Sequence, residues 1–265
     1  MPSLSAILIT KNEGHNLNDC LASLADIADE IIIVDSNSND DTLAIAQRYG
    51  AIVSQPEDWP GFGTQKNRAL DLATSEWVLS LDADERLTPE LRIEIRHALA
   101  YANENTCFAI PRLSWYCGRY MKHSGWYPDY VARLFKRGTA RFSDHLVHER
   151  LIAQGKAGKL RNALLHECFH TVEEVLDKIN RYSSAGAEQR YQQGHRSSLT
   201  KAVFHGLWTF FRTYFIKAGF LDGREGFILA VSNAEGVYYR YLKLMYLEDP
   251  RYSARISATK SHTAN

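Results

Sequence analysis

Apolar and polar positions alternate in blocks between Leu4 and Leu81, and the period changes from block to block. Leu4 to Thr10 is an apolar run of strand length, closed by the polar turn Lys11-Asn12-Glu13-Gly14. Leu17, Cys20, Leu21 and Leu24 then recur at helical spacing, with Asn16 placed to cap the helix. Glu30 to Asp35 is β-branched almost throughout and reads as a second strand. The loop Ser36 to Thr42 leads into a helix with Leu43, Ala46 and Tyr49 on its apolar side, and Gly50 stands where a left-handed residue ends a helix. Ala51-Ile52-Val53 is a third short strand, a helix follows from about Thr64 to Ala73, and Trp77 to Leu81 is a fourth strand. Repeated strand–helix units predict a doubly wound, mostly parallel α/β sheet. Right-handed crossovers bring all the strand C-terminal ends to one edge, where open α/β sheets bind ligands. Thr10, Asp35 and the pair Asp82/Asp84 converge there.

After a helix from about Pro89 to Ala102, the pattern breaks into short strands. They are Cys107 to Leu113, Tyr130 to Phe135, Arg141-Phe142, Val147 to Ile152 and Lys159 to Leu165, with glycine-bearing turns between them. This predicts a small antiparallel subregion over the ligand edge, able to hold a second substrate. Its aromatics, Trp115, Tyr116, Tyr120, Trp126 and Tyr127, suit the apolar faces of sugar rings and equally suit an ordinary core. From Thr171 the chain reads helical. Leu199 to Lys217 has a wide apolar side and a narrow polar one bearing Lys201, His205, Arg212 and Lys217, and a further helix runs from about Arg224 to Leu247. A basic, aromatic-rich helical hairpin fits peripheral contact with an anionic membrane. It also fits a buried helix pair or a homo-oligomer contact.

The acids fall in one informative place. Trp77-Val78-Leu79-Ser80-Leu81 runs directly into Asp82-Ala83-Asp84-Glu85, so a buried strand ends where charge begins. Side chains two apart point the same way on an extended backbone, so Asp82 and Asp84 could share a divalent cation that keeps sites for substrate phosphates. The alternative is an acid-rich helix start, since Thr88-Pro89-Glu90 follows as N-cap, N1 and first-turn acid. Neither a Gly-x-Gly-x-x-Gly nor a Walker A loop follows the first strand, which argues for phosphate binding through metal rather than through a glycine cradle.

His166-Glu167-Cys168-Phe169-His170 matches the zinc-protease pattern H-E-x-x-H. Thr171-Val172-Glu173-Glu174 is a capping box, however, and it starts its helix after both histidines instead of carrying them on one face. Charge excludes a general nucleic-acid binder, with 31 basic and 31 acidic residues in 265. Four dispersed cysteines without C-x-x-C suit free thiols in a reducing compartment. Met1 to Thr10 reads as a first strand rather than a secretory signal, and no stretch of 18 apolar residues suggests a membrane span.

The runs Ile9-Thr10-Lys11-Asn12-Glu13, Val34-Asp35-Ser36, Gln65-Lys66-Asn67-Arg68-Ala69 and Leu81-Asp82-Ala83-Asp84-Glu85 resemble, in order and spacing, the family 2 glycosyltransferases of GT-A fold. Trp126-Tyr127-Pro128-Asp129, Arg133-Leu134-Phe135 and Val147-His148-Glu149 are similar to bacterial lipopolysaccharide inner-core β-1,4-glucosyltransferases. The resemblance implies a GT-A catalytic domain over 1–170, with a nucleotide-sugar half at 1–105 and an acceptor half at 106–170. A helical extension over 171–252 and a polar tail at 253–265 complete the chain.

It also implies a cytoplasmic enzyme, peripheral on the inner face of the cytoplasmic membrane. Such an enzyme moves a hexose, glucose by analogy, from a UDP-sugar to a lipid-linked glycan acceptor, the lipopolysaccharide core. Thr10, Lys11, Glu13, Asp35, Ser36, Lys66, Asp82 and Ala83 would bind the UDP-sugar, with Asp35 on the uracil N–H, Lys66 at the diphosphate and Asp82 near the ribose. Asp84, with His148 completing the shell, would hold Mg²⁺ or Mn²⁺. Asp129 takes the position of the catalytic base, with Glu149 as its rival. Without the resemblance, Lys66 and Arg68 read equally well as a solvated helix face, and His148-Glu149 as a hydrogen-bonded strand pair. Other classes consistent with the residues are a nucleotidyltransferase, which would need the missing glycine loop, and a non-catalytic nucleotide-sugar-binding module.

Overall fold

Alternation along the first strands sorts their side chains onto two faces of one sheet, and each face has its own core. In the computed structural model, which describes residues 2–102, 104–143 and 150–249, β1 (Leu4–Thr10) turns Leu4, Ala6 and Leu8 to one face and Ile7 to the other. The helix α1 (Gly14–Leu24) covers the first face with Leu17, Cys20, Leu21 and Leu24. On β2 (Glu30–Asp35), Ile33 joins that face while Ile32 and Val34 join the opposite one. All three are fully buried. Burying such a side chain contributes roughly 1.5–3 kcal/mol, so a slip by one residue in this central strand is strongly disfavoured.

After α2 (Thr42–Arg48) and β3 (Ile52–Ser54), α3 (Phe62–Leu72) covers the second face with Ala69 and Leu70. β4 (Trp77–Asp82) repeats the division, with Trp77, Leu79 and Leu81 on the first face and Val78 on the second. β5 (Glu85–Leu87) and α4 (Pro89–Ala100) follow, and Thr88 caps α4 by accepting the Leu91 N–H at 3.1 Å. Asn16 is no cap: it lies within α1, and Glu13 holds the N-cap position without a side-chain bond.

The remaining strands are β6 (Asn105–Tyr116), β7 (Arg119–Tyr120), β8 (Asp129–Lys136), β9 (Ala140–Phe142), β10 (Leu151–Ala153), β11 (Lys156–Lys159) and β12 (Leu164–Phe169). The sheet order is β3-β2-β1-β4-β8-β6-β12-β5, with β11 and β7 also on β6; β9 and β10 form a separate hairpin. β1 to β4 pair in parallel, whereas β4–β8, β8–β6 and β12–β5 are antiparallel. The predicted antiparallel subregion is therefore mostly the continuation of the same sheet, joined through β8 to β4. The expected strand from Lys159 to Leu165 is in fact two, because Leu160 to Ala163 breaks the pairing.

The chain divides into two compact units, residues 1–114 with 128–168, and residues 115–127 with 169–265. In the second, α5 (Val172–Gln192) opens on the predicted capping box, Thr171 and Glu174 bonding reciprocally. α6 (Leu199–Phe211) runs into a π-helical turn, and α7 (Gly223–Tyr246) packs on both α5 and α6. Close approach at the start of α7 requires glycine, because a Cβ on Gly226 would lie 1.9 Å from the Gly219 carbonyl oxygen. None of the described helices is long and apolar enough to cross a membrane.

Candidate active site

Parallel register sets the site. Thr10 stands opposite Asp35, and Ile9 opposite Asp82, so the polar C-terminal ends of β1, β2 and β4 share one edge. At the end of β2 the Asp35 carboxylate is fully buried. Its Oδ1 accepts from the Thr10 hydroxyl at 2.8 Å and the Ser38 hydroxyl at 2.5 Å; its Oδ2 accepts from the Ser38 N–H at 2.9 Å and the Gln55 amide at 3.2 Å. Four donors fill the acceptor capacity of a carboxylate.

Three consecutive polar residues of α3 are buried, and each has a partner. Gln65 donates to the Ser36 hydroxyl at 3.2 Å, Lys66 pairs with Asp82 Oδ1 at 3.0 Å, and Asn67 exchanges two hydrogen bonds with the Phe142 backbone. Lys66 is thus no solvated helix-face residue: burial would be costly without that carboxylate. Arg68 keeps the outward position and pairs with Asp58 at 2.9 Å.

Asp82 and Asp84 do not form one clamp. The strand ends at Asp82, and a turn over Ala83 and Asp84 precedes β5, so the extended backbone that would align the two side chains is absent. Asp82 faces Lys66 and Arg133, and the Arg133 guanidinium bonds to it directly. Withdrawal from water alone would push the Asp82 carboxyl up; Arg133 and then Lys66 overcome that and hold it well below the usual carboxylate range. Glu85 does not face a crevice. It is fully buried, accepts the Asp82 N–H at 3.0 Å and pairs with Arg133 at 2.7 Å; burial raises its pKa, Arg133 opposes this, and Asp82 adds to it.

Asp84 has different company. His166 Nε2 lies 3.3 Å from its Oδ2, and His166 Nδ1 lies 2.9 Å from the Ser114 hydroxyl. Burial would depress this imidazole, but hydrogen bonds to Asp84 and Cys168 raise it to about 9. Glu13 belongs to the same neighbourhood, since burial raises its carboxyl, Asn16 opposes this, and the charge of Asp84 raises it further. Ala83 is buried beneath the turn, while Lys11 is exposed beside Asn12, whose φ is +56°. His166 lies in β12 and His170 beyond its end, so the zinc-protease arrangement on one helix does not exist.

Asp129 is the first residue of β8 and not a loop residue. Arg112 of β6 donates to its Oδ2 through Nη2 at 2.7 Å and Nε at 3.1 Å, and Arg112 Nη1 lies 3.7 Å from Glu85. An unbroken series of charges, Asp129–Arg112–Glu85–Arg133–Asp82–Lys66, therefore spans the sheet end. His148 and Glu149 lie outside the described residues. Sequence reasoning missed Arg112, Arg133 and His166 as site residues. Their signal was present, since each is a charged or titratable residue interrupting an apolar strand pattern.

A divalent cation fits this donor set in one way. Among the described residues no group of three or more His, Cys, Asp or Glu side chains is arranged to hold a metal. Asp84, about a third exposed, and His166 together offer two protein ligands. That suffices for Mg²⁺ or Mn²⁺ when waters and substrate phosphates complete the shell.

Comparison with known proteins gives the class to which this arrangement belongs. Residues 5–155 match the model of Glycosyl transferase family 2. The chain belongs to this family and is a glycosyltransferase. It is 31% identical over 273 residues to an uncharacterized glycosyltransferase of Rickettsia felis, covering 98% of this chain and 96% of that protein. It is 33% identical over 256 residues to the lipopolysaccharide core biosynthesis glycosyltransferase LpsC of Rhizobium meliloti, covering 90% and 93%. The crystal structure of Staphylococcus aureus TarS 1-349 in complex with UDP is similar at 17% identity and a TM-score of 0.48, over 92% of this chain and 91% of that one. The α/β sheet with its helical extension agrees with the fold that the four motifs imply.

Proposed function

We propose that the chain is an inverting, metal-dependent hexosyltransferase that moves a hexose from a UDP-sugar to a heptose of the lipopolysaccharide core. The observation that carries this reading is the shared edge: a buried carboxylate pocket at Asp35, an accessible carboxylate at Asp84, and Asp129 at the end of the charge series from Asp82. Likeness to LpsC supports the acceptor class.

In this reading the uracil N–H replaces the Gln55 amide, the longest of the four bonds to Asp35. Thr10 and Ser36 line the same pocket, and Glu13, Lys11 and Ala83 border the path from base to diphosphate. Lys66 holds Asp82 ionised beside the ribose. Asp84 and His166 would hold the cation, which when bound would supply positive charge against the departing diphosphate. Asp129 takes the acceptor hydroxyl proton through Oδ1, which no described residue bonds, while Arg112 fixes Oδ2. Asp129→Asn is expected to lower transfer by about 10²–10⁴-fold with UDP affinity retained, measured with a panel of UDP-, GDP- and dTDP-sugars on core oligosaccharide. Turnover near the wild-type rate would move the base elsewhere, Glu149 being next.

A second observation supports peripheral membrane contact. α6 turns its small residues, Ala202 and Gly206, inward and leaves Phe204, Leu207, Trp208 and Phe211 about half or more exposed, the reverse of a core helix. Lys201, Arg212 and Lys217 are exposed in the same stretch, Arg196 and Arg224 are exposed and paired with Glu248 and Glu225, and Asp222 is fully buried against His123. Exposed apolar bulk with basic residues in the same stretch fits an anionic bilayer surface. The full chain should sediment with phosphatidylglycerol vesicles and release when Trp208 and Leu207 are both changed to Ser. Equal partition of the two proteins removes this contact.

A further inference from the structure

Lys243, Arg240 and Arg190 lie where α5 and α7 pack, and the chain treats these cations unequally. Lys243 Nζ is met by oxygens of α5: Asn180 Oδ1, Ser183 Oγ and Ser184 Oγ, each at 2.8 Å, and the Asn180 carbonyl at 3.1 Å. Arg240, one turn earlier on α7, receives nothing comparable. Its Nε is sealed beside Gly186 without an acceptor, and its Nη groups make no bond to a described residue. Arg190 stands one turn after Gly186 on the same face of α5, with its guanidinium 5.3 Å from the Tyr241 ring. Both arginines are partly buried, and no described carboxylate pairs with either. Burial pulls the Arg240 guanidinium below its usual range, the charge of Arg190 adds to this, and Tyr241 opposes it. Like charges side by side and partly out of water are costly until an anion joins them. Residues 250–265 contain no Asp or Glu to supply one. The guanidinium fork matches phosphate oxygens.

The surroundings name the source of that phosphate. His205 of α6 stacks on the Tyr241 ring at 4.3 Å, so Tyr241 joins Arg190 to the helix whose Phe204, Leu207 and Trp208 are exposed. A helix lying on a bilayer sinks its apolar side about 5–10 Å into the headgroup boundary, which brings lipid phosphates to its polar flank. We propose that Arg190 and Arg240 form an oxyanion site for the headgroup phosphate of an anionic phospholipid. The source of the phosphate rests on the membrane reading above; the site itself stands on the arginine pair. It fixes the helical unit to the surface by a directed contact instead of by diffuse charge alone.

Two measurements on the full chain test this, each with three proteins. Beside the wild type, a charge-keeping variant carries Arg190→Lys and Arg240→Lys, and a neutral variant carries Arg190→Gln and Arg240→Gln. Urea midpoints are compared in sodium phosphate and in sodium chloride of equal ionic strength. Phosphate should raise the wild-type midpoint more than that of the neutral variant, which gains only the general salt effect. The proteins are then sedimented with vesicles of phosphatidylcholine alone and of equal parts phosphatidylcholine and phosphatidylglycerol. The wild type should prefer the anionic vesicles by at least about tenfold, and the neutral variant should lose most of that preference. The charge-keeping variant should bind them about three- to tenfold more weakly than the wild type, because lysine lacks the fork. It also carries both measurements if the neutral variant does not fold. Equal midpoint gains in wild type and variants would overturn the site. A charge-keeping variant that binds anionic vesicles like the wild type would overturn it too, since a diffuse field needs only charge. A phosphate gain confined to the wild type, with vesicle binding unchanged in both variants, would overturn the lipid source in favour of a soluble phosphate. Absence of vesicle binding by the wild type would sink the membrane reading and the lipid source with it, and the midpoints would still report on the arginine pair.

Discussion

One sheet carries two chemically opposite ends. On the β1–β2 side the groups at the edge are carboxylates and hydroxyls: Asp35, Thr10, Ser36 and, past the end of β4, Asp84. On the β8–β6 side they are guanidiniums: Arg133, Arg112 and the nearby Arg150. Asp82 and Glu85 sit on the boundary and are consumed by it, each paired to Arg133. Two acids two residues apart thus have different fates. Asp82 holds the sheet's charges together, and Asp84 is left available to a ligand. The D-x-D here thus separates an acid locked into ion pairs from one that stays about a third exposed, and their surroundings decide which is which.

The sharpest break of this comparison is removal of the boundary cation. Arg133→Met leaves Asp82 paired with Lys66, and Glu85, fully buried, with the Asp82 N–H and the 3.7 Å contact of Arg112. Stranding a buried charge costs about 3–5 kcal/mol, so the urea midpoint should fall steeply. Arg133→Met combined with Glu85→Gln should recover part of the loss, because the neutral amide has less to lose. If the single variant unfolds at the wild-type midpoint, the two ends are not coupled through Arg133.

Sequence made half of this visible. The strands themselves were legible as short apolar runs because each is covered on both faces, which also hid which face each residue takes. The edge where Thr10, Asp35 and Asp82 meet was legible too, since parallel register follows from the crossovers. The division between Asp82 and Asp84 was not legible. It depends on a turn at Ala83 and on Arg133 and His166, which lie far along the chain and reach the site only through β8 and β12. Long-range charge pairing leaves no local period in a sequence.

Asp84→Asn sharpens the comparison from the reactive side. Asn keeps the shape and can still bond His166 but removes the charge that keeps the imidazole protonated, so well below pH 9 the variant should lose part of the stability this pair contributes, and above it the two proteins should unfold alike. Transfer should fall by about 10²–10³-fold, the scale of losing one preorganised stabiliser of developing charge. With two protein ligands among the described residues, the wild-type protein should bind Mn²⁺ weakly alone and far more tightly with UDP present, and the variant should lose that gain. A variant with full Mn²⁺-dependent activity would take the cation away from Asp84.

The last test separates the two ends by pH. In the metal-free protein the His166 imidazole stands at about 9 against an ordinary 6.5, because its bonds to Asp84 and Cys168 outweigh burial. A basic group raised on folding stabilises fully below its unfolded value, and that contribution disappears as pH climbs through the folded one. The window is therefore pH 6.5 to 9, with at most about 3 kcal/mol at stake. On the arginine side no such window opens in this range, since Arg133 is pushed further up by Asp82 and Glu85 once they outweigh its burial, and Asp82 is held far below it. Urea unfolding in EDTA at pH 6 and pH 9.5 should show the wild type losing more stability than His166→Gln over the interval. Parallel losses in the two proteins would mean that Asp84 does not keep His166 protonated, and the carboxylate end would then carry more unbalanced negative charge than the present structure assigns it.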